Sequence, residues 1–156
     1  MIYYTKPMKK KESENRLLID VARLDPEGED LSGEVDIVDL DEEFVKPFGG
    51  VRYRLHAQLF GTELLVRGRL EQDFDLVCSR CGRDFDTTVH VDDFTASVQI
   101  GEKDECADLT ADARDSIILA LPTYPLCAPD CPGIEQKVQE TRDDRWGALD
   151  GLKVSK

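Results

Sequence analysis

A strict two-residue alternation of apolar and polar side chains begins at Val51 and continues, with short breaks, to Ile100. Alternation with period two is the pattern of a β-strand that buries one face. Gly61-Thr62 separates the first run from the second, and two residues of this kind are typical of a hairpin loop. The phase slips at Asp92-Asp93, which indicates a β-bulge or a tight bend. We therefore predict an α+β protein dominated by an antiparallel β meander or barrel-like sheet.

The Gly61-Thr62 loop fixes the register of the predicted hairpin. With this loop, four apolar pairs face each other across the two strands: Leu59 with Leu64, Ala57 with Val66, Leu55 with Gly68, and Tyr53 with Leu70. The agreement of the apolar faces supports this register, because a slip of one residue would expose every one of them.

The polar face of the same hairpin carries an unusual set of positive charges. The register pairs His56 with Arg67, Arg54 with Arg69, and Arg52 with Glu71. Two arginines directly opposite each other repel, so the arrangement indicates a site for an anion, and RNA phosphate is the natural candidate. We predict that Arg52, Arg54, Arg67 and Arg69 form this site. The alternative is that the acidic residues of 25–43 fold back and neutralise these arginines.

The end of the chain changes from strand to helix periodicity. Asp108 or Thr110 is placed to cap a helix that ends at Pro122 and buries Ala113, Ile117, Ile118 and Leu121. Trp146, Leu149 and Leu152 share one stripe and predict a short closing helix, which gives two or three short helices in all. Residues 1–16 are polar and predict a solvated tail, and residues 17–156 predict a single domain.

The charge of the chain limits its partners. Its 33 acidic residues against 20 basic ones give a net charge of −13, which excludes nucleic-acid binding over the whole surface but permits a local basic patch. Residues 25–43 carry ten acids and no base, as in a solvated face or a surface for a basic protein. No run of 18 apolar residues is present, so we expect no membrane segment. We find no secretory signal and expect a reducing, cytoplasmic location.

Four of the five cysteines form two pairs. Cys78 and Cys81 belong to a Cys-x-x-Cys-Gly turn, and Cys127 and Cys131 form a Cys-x-x-x-Cys pair 46 positions downstream. Two such pairs suit a tetrahedral site made of four cysteines, and we predict a structural Zn²⁺ held by these four thiolates. The alternatives are a turn without metal, free thiols that pair only on oxidation, and a redox motif. A redox motif is disfavoured because its Cys-x-x-Cys opens a helix, whereas this one lies between strands.

Several segments together resemble the bacterial YceD-like family. Val77–Phe85 contains the Cys-x-Arg-Cys segment typical of that family, and Asp115–Pro122 resembles its helix that starts with an acid and ends in Leu-Pro. Leu126–Gly133 is similar to its second cysteine segment, and Asp144–Leu149 to its C-terminal ending. Many members continue after the position of Cys131 with further cysteines, which this chain lacks.

The resemblance implies a role in the accumulation of 23S ribosomal RNA and in large-subunit assembly. No catalytic residues are established for that family. The sequence also contains no organised pair of carboxylates that would indicate a nuclease. We therefore expect a non-enzymatic ribosome biogenesis factor that binds ribosomal RNA or a basic ribosomal or assembly protein, and no small-molecule substrate. The alternatives are an acidic module that binds a basic protein without RNA contact, and a thiol redox protein.

Overall fold

A computed structural model describes residues 15–135 and 144–152 of the protein. Within these ranges, six strands and one α-helix follow in this order: β1 (Leu18–Asp20), β2 (Glu29–Val35), β3 (Val45–Phe60), β4 (Glu63–Val77), β5 (Asp84–Gln99), β6 (Cys106–Asp108) and α1 (Thr110–Leu119). Short 3-10 segments cover Val21–Arg23 and Asp144–Gly151, the second where a closing helix was predicted. The predicted tail over 1–16 lies almost entirely outside the described residues.

The strands form two antiparallel sheets. The larger has the order β2-β3-β4-β5, so each strand pairs with its neighbour in sequence, and the smaller pairs β1 with β6. Antiparallel neighbours need only short loops, which explains why long strands with small breaks form a meander here. The predicted α+β class with an antiparallel meander is confirmed.

The hairpin of β3 and β4 has the predicted register. Leu59 lies opposite Leu64, Leu55 opposite Gly68, and Arg54 opposite Arg69. β4 begins at Glu63 and continues without a break to Val77.

The core lies on one face of the larger sheet. Apolar side chains of β3, β4 and β5 alternate inward and are covered by α1 and by the small β1-β6 sheet. The covering layer contributes Ile19, Ala107, Leu109, Ala113 and Ile117, all of them buried. The N-cap of α1 is Leu109, not Asp108 or Thr110 as predicted, although the Asp108 carboxylate accepts a hydrogen bond from the Thr110 amide at 3.0 Å. Leu109 makes no side-chain cap hydrogen bond and is instead buried in the core.

The middle of the sheet is irregular at two places. Between β4 and β5 the register shifts so that Asp92 and Asp93 both lie beside Arg69, which confirms the predicted bulge. Between β3 and β4 a second shift occurs between Phe48 and Arg52. There the buried Gln72 amide donates to the carbonyl oxygens of Phe48 at 3.0 Å and Gly49 at 3.2 Å. Gln72 therefore satisfies carbonyl groups that the bulge removes from the strand ladder.

Among the glycines of the sheet, Gly68 is the one that lies closest to the backbone of a neighbouring strand. A Cβ atom at this position would collide with the Arg54 carbonyl oxygen and lie 2.8 Å from the Leu55 Cα. Both are backbone atoms, so no side-chain rotation can relieve the collision. Gly68 lies between Arg67 and Arg69 in sequence. The part of β4 that carries both arginines therefore lies directly against β3.

We predict that Gly68→Ala lowers the free energy of unfolding by about 2–3 kcal/mol, because the added methyl group overpacks the strand pair. Gly61→Ala is the matched control: its φ of +64° is unfavourable for alanine, but no atom lies within 4 Å of the added Cβ. Its cost should be about 1 kcal/mol. Urea denaturation measures both, and equal losses in the two variants would contradict the close approach.

Candidate functional site

The four paired cysteines lie at one end of the larger sheet. Cys78 directly follows β4, and Cys81 lies in the turn between β4 and β5. Cys127 and Cys131 belong to the loop that follows α1, which returns to this end of the sheet. Two segments that are distant in sequence thus meet here.

The sulfur atoms are spaced as a metal ion requires. The Sγ atoms of Cys78 and Cys131 are 3.8 Å apart, and those of Cys81 and Cys127 are 3.7 Å apart. All four sulfur atoms lie within 4.8 Å of one another. Zn–S bonds of about 2.3 Å at tetrahedral angles place sulfur atoms about 3.8 Å apart. The predicted meeting of the two pairs is confirmed, and the cluster can hold a metal ion in a geometry compatible with zinc.

Backbone hydrogen bonds shape the first cysteine turn. The Gly82 amide donates to the Cys78 carbonyl at 2.9 Å, and the Cys78 amide donates to the Arg83 carbonyl at 2.8 Å. Gly82 has a φ of +70°, a conformation that glycine adopts without strain. This explains why a glycine follows the second cysteine of the pair.

Two further hydrogen bonds tie the cysteine segments to each other. The Ser79 amide donates to the Pro125 carbonyl at 2.8 Å, and the Arg80 guanidinium donates to the Cys131 carbonyl at 3.2 Å. The Arg80 side chain is therefore bound to the second cysteine segment. These two hydrogen bonds connect the two segments in addition to the contacts between the sulfur atoms.

The thiols of the cluster differ in acidity. Amide N–H groups of Cys81 and Cys127 point at the Cys78 sulfur and lower the pKa of that thiol to about 6. The contact with Cys131, together with burial and the other sulfur atoms, raises the pKa of Cys127 to about 12. Amide donors thus favour negative charge on the Cys78 sulfur, whereas the neighbouring sulfur atoms and burial oppose negative charge on the Cys127 sulfur. Four thiolates this close would repel one another. A divalent cation would offset that repulsion and allow all four to ionise.

Cys106 lies apart from the cluster. It is exposed in β6, where its backbone pairs with Asp20. The only group of metal-ligand side chains within the described residues consists of the four paired cysteines.

The structure separates Arg52 from the other three predicted arginines. Its guanidinium makes two hydrogen bonds to the Asp73 carboxylate, at 2.8 and 3.1 Å, and lies 3.6 Å from Glu71. The Arg52 guanidinium and the Thr88 hydroxyl both donate to Asp73, and they hold the pKa of that carboxyl at about 2. Arg52 is therefore already bound to a carboxylate and is not available for an anion.

The other three arginines line an open cleft of about 630 Å³ between β2, β3 and β4, which we call the arginine cleft. Its charged lining consists of Arg54, Arg67, Arg69, His56 and Asp30. Within the described residues, Arg54 and Arg67 have no ion-pair partner, and Arg69 has only the exposed Asp92 carboxylate at 4.0 Å.

The acidic stretch forms β2 beside these arginines but neutralises little of their charge. The residue of β2 opposite Arg54 is Ser32, and Asp30 lies 2.7 Å from His56. Glu34 accepts a hydrogen bond from the Gly50 amide at 2.8 Å instead of binding an arginine. The alternative that residues 25–43 neutralise the arginine set is therefore wrong for Arg54 and Arg67 as far as the described chain extends.

We predict that the Asp73 carboxyl titrates at about pH 2 and that Arg52→Gln moves its midpoint toward the ordinary value of 3.8. Because the folded-state pKa is lowered, the pair stabilises the fold fully above about pH 4 and ceases to do so as the pH falls toward 2. Its contribution is about 1 kcal/mol or less, since both side chains are partly exposed to solvent. Carbon-detected NMR titration measures the midpoint. Arg54→Gln, which removes the neighbouring cation, should leave it unchanged, and an equal rise in both variants would contradict the assignment.

Comparisons of the chain with family models, with curated proteins and with solved structures find no match. No helix in the part of the chain that the structure describes is long and apolar enough to cross a membrane. The family resemblance therefore stays a prediction.

Proposed function

We propose that this protein is a cytoplasmic, non-enzymatic ribosome-assembly factor of the YceD-like kind that binds ribosomal RNA at the arginine cleft. The observation that carries the proposal is the cleft itself. Arg54 lies opposite Arg69, His56 lies opposite Arg67, and two of these arginines have no carboxylate partner in the described chain. In a chain with net charge −13, arginines that have no carboxylate partner favour a local site for an anion.

RNA phosphate suits this cleft better than a small anion does. The cleft is open and its lining comes from three neighbouring strands, so it has room for more than one phosphate of an RNA chain. One guanidinium group donates two parallel hydrogen bonds to the oxygens of a phosphate. Arg54 and Arg69 lie directly opposite each other on neighbouring strands, so they are close enough to contact the same stretch of RNA backbone. The surrounding negative charge opposes RNA elsewhere on the surface, which confines binding to this cleft.

The proposed role of the cysteine cluster is structural. A Zn²⁺ bound by Cys78, Cys81, Cys127 and Cys131 would join the end of β4 to the loop after α1. Four protein ligands would leave no open coordination position for a substrate or water. Cys78 and Cys81 lie in a turn between strands instead of at the start of a helix, so their setting does not favour thiol-disulfide chemistry. Both points support a non-enzymatic role.

We predict that Arg54→Gln combined with Arg69→Gln weakens binding to a 23S ribosomal RNA transcript by about tenfold or more at moderate salt. Each phosphate contact contributes about 0.7 to 0.9 to the slope of log affinity against log salt, so the slope should become shallower by about 1.5. Filter binding or fluorescence anisotropy over a series of salt concentrations measures both quantities.

The matched control is Arg23→Gln combined with Arg114→Gln, which removes two positive charges from exposed ion pairs outside the cleft. This variant should keep the wild-type slope. The same variants test the assembly role: in cells that lack the protein, the wild type and the control should restore the 23S to 16S RNA ratio, and the cleft variant should not. An equal loss of affinity in both variants, or an unchanged slope in the cleft variant, would reject RNA binding at this site.

A further inference from the structure

A second surface of the protein is apolar and lies at the end of the sheet beside the cysteine cluster. A pocket of about 350 Å³ opens there between the start of β3, the end of β4 and the loop after α1. Its lining includes Phe44, Val45, Leu121, Pro122 and Pro125. The pocket is separate from the arginine cleft, because Val45 lies opposite Leu76 and Arg54 lies opposite Arg69, and seven residues of β4 span about 23 Å.

Aromatic side chains at this pocket remain exposed. Phe44 is 60% exposed, and Tyr124, which stands between two lining residues, is 59% exposed. Within the described residues, the core of the protein covers neither ring, although it buries Phe74 and Phe94 completely or nearly so. Exposed aromatic side chains around an apolar pocket are typical of a surface that another molecule covers.

The charge beside the pocket indicates what that molecule is. Asp41, Glu42 and Glu43 lead directly into Phe44, and all three are exposed. None has an ion-pair partner in the described part of the chain, whereas the nearby Asp39 pairs with Arg114 at 3.1 Å. RNA and anionic lipid would be repelled by these carboxylates. Lysine or arginine side chains would be attracted, which favours a basic protein segment.

We propose that this pocket docks a basic segment of a partner protein. One apolar or aromatic side chain of the segment enters the pocket and packs against Phe44 and Pro122. Lysine or arginine residues on either side of it pair with Asp41, Glu42 and Glu43. The proposal does not depend on RNA binding at the arginine cleft, and it gives the protein a second, chemically opposite contact surface.

The test uses the full chain and a fluorescein-labelled peptide with Leu-Phe between two runs of four lysines. Phe44→Ser should weaken peptide binding about tenfold, since the Leu-Phe side chains of the peptide lose their main apolar contact in the pocket. Phe60→Ser is the matched control, because Phe60 ends the same strand β3 and is 54% exposed. It should change the affinity less than about twofold, and thermal unfolding should be the same in both variants because both rings are largely outside the core.

The charge part of the proposal has its own pair of variants. Glu42→Gln with Glu43→Gln should weaken peptide binding about fivefold at low salt, and Glu102→Gln with Glu105→Gln, an equal change in charge at another exposed segment, should not. Equal weakening by both pairs would overturn the proposal, as would equal affinity for a peptide with serines in place of Leu-Phe. Peptide binding that appears only after deletion of residues 1–14 would also overturn it, because the chain's own basic segment would then be the occupant. A loss of 23S transcript binding in Phe44→Ser would identify RNA as the occupant and equally reject a protein partner.

Discussion

The contact of four cysteine sulfurs at the end of the sheet joins the turn after β4 to the loop after α1, two segments that lie far apart in the chain. Cys78 and Cys131 are 53 positions apart in the chain, and Cys81 and Cys127 are 46 apart, yet each pair of sulfurs is within 3.8 Å. Within the described residues, the hydrogen bonds from Ser79 to Pro125 and from Arg80 to Cys131 also connect the loop after α1 to the end of the sheet. The apolar pocket has one wall on the sheet and one on this loop, so its shape depends on the same connection.

The two proposed contact surfaces have opposite charge and lie at different places on the same two strands. The arginine cleft spans the middle of β3 and β4, and the acidic, apolar pocket lies where β3 begins and β4 ends. A rigid sheet between them would hold an RNA segment and a basic protein segment at a fixed separation. Such an arrangement suits an assembly factor, which must bring a protein and an RNA together without altering either chemically.

Much of the sheet could be predicted because burial of one face imposes a period of two on the sequence. The register of β3 with β4 and the bulge at Asp92-Asp93 were both evident from the alternation and its slip. The meeting of the cysteines was predictable for a different reason: thiolate pairs at these spacings suit a tetrahedral ion, so the chemistry compensates for the lack of information on long-range contacts.

The remaining features depend on contacts that sequence spacing does not contain. Arg52 was predicted to face Glu71, and it does, but its strongest partner is Asp73, which a reading of directly opposite pairs misses. The acidic residues 29–35 form an edge strand because β3 offers free backbone groups, although their composition suggests a solvated segment. Gln72 occupies a core position only because a bulge supplies carbonyl groups for it to bind.

We propose that a metal ion at Cys78, Cys81, Cys127 and Cys131 fastens the loop after α1 to the sheet. Hydrogen exchange of the protein loaded with one equivalent of Zn²⁺, compared before and after chelation, measures this connection. We expect the amides of residues 78–83 and 123–133 to exchange much faster once the metal is removed, while the middle of β3 and β4 stays protected. Identical exchange in the two states, or loss of protection throughout the sheet, would contradict it.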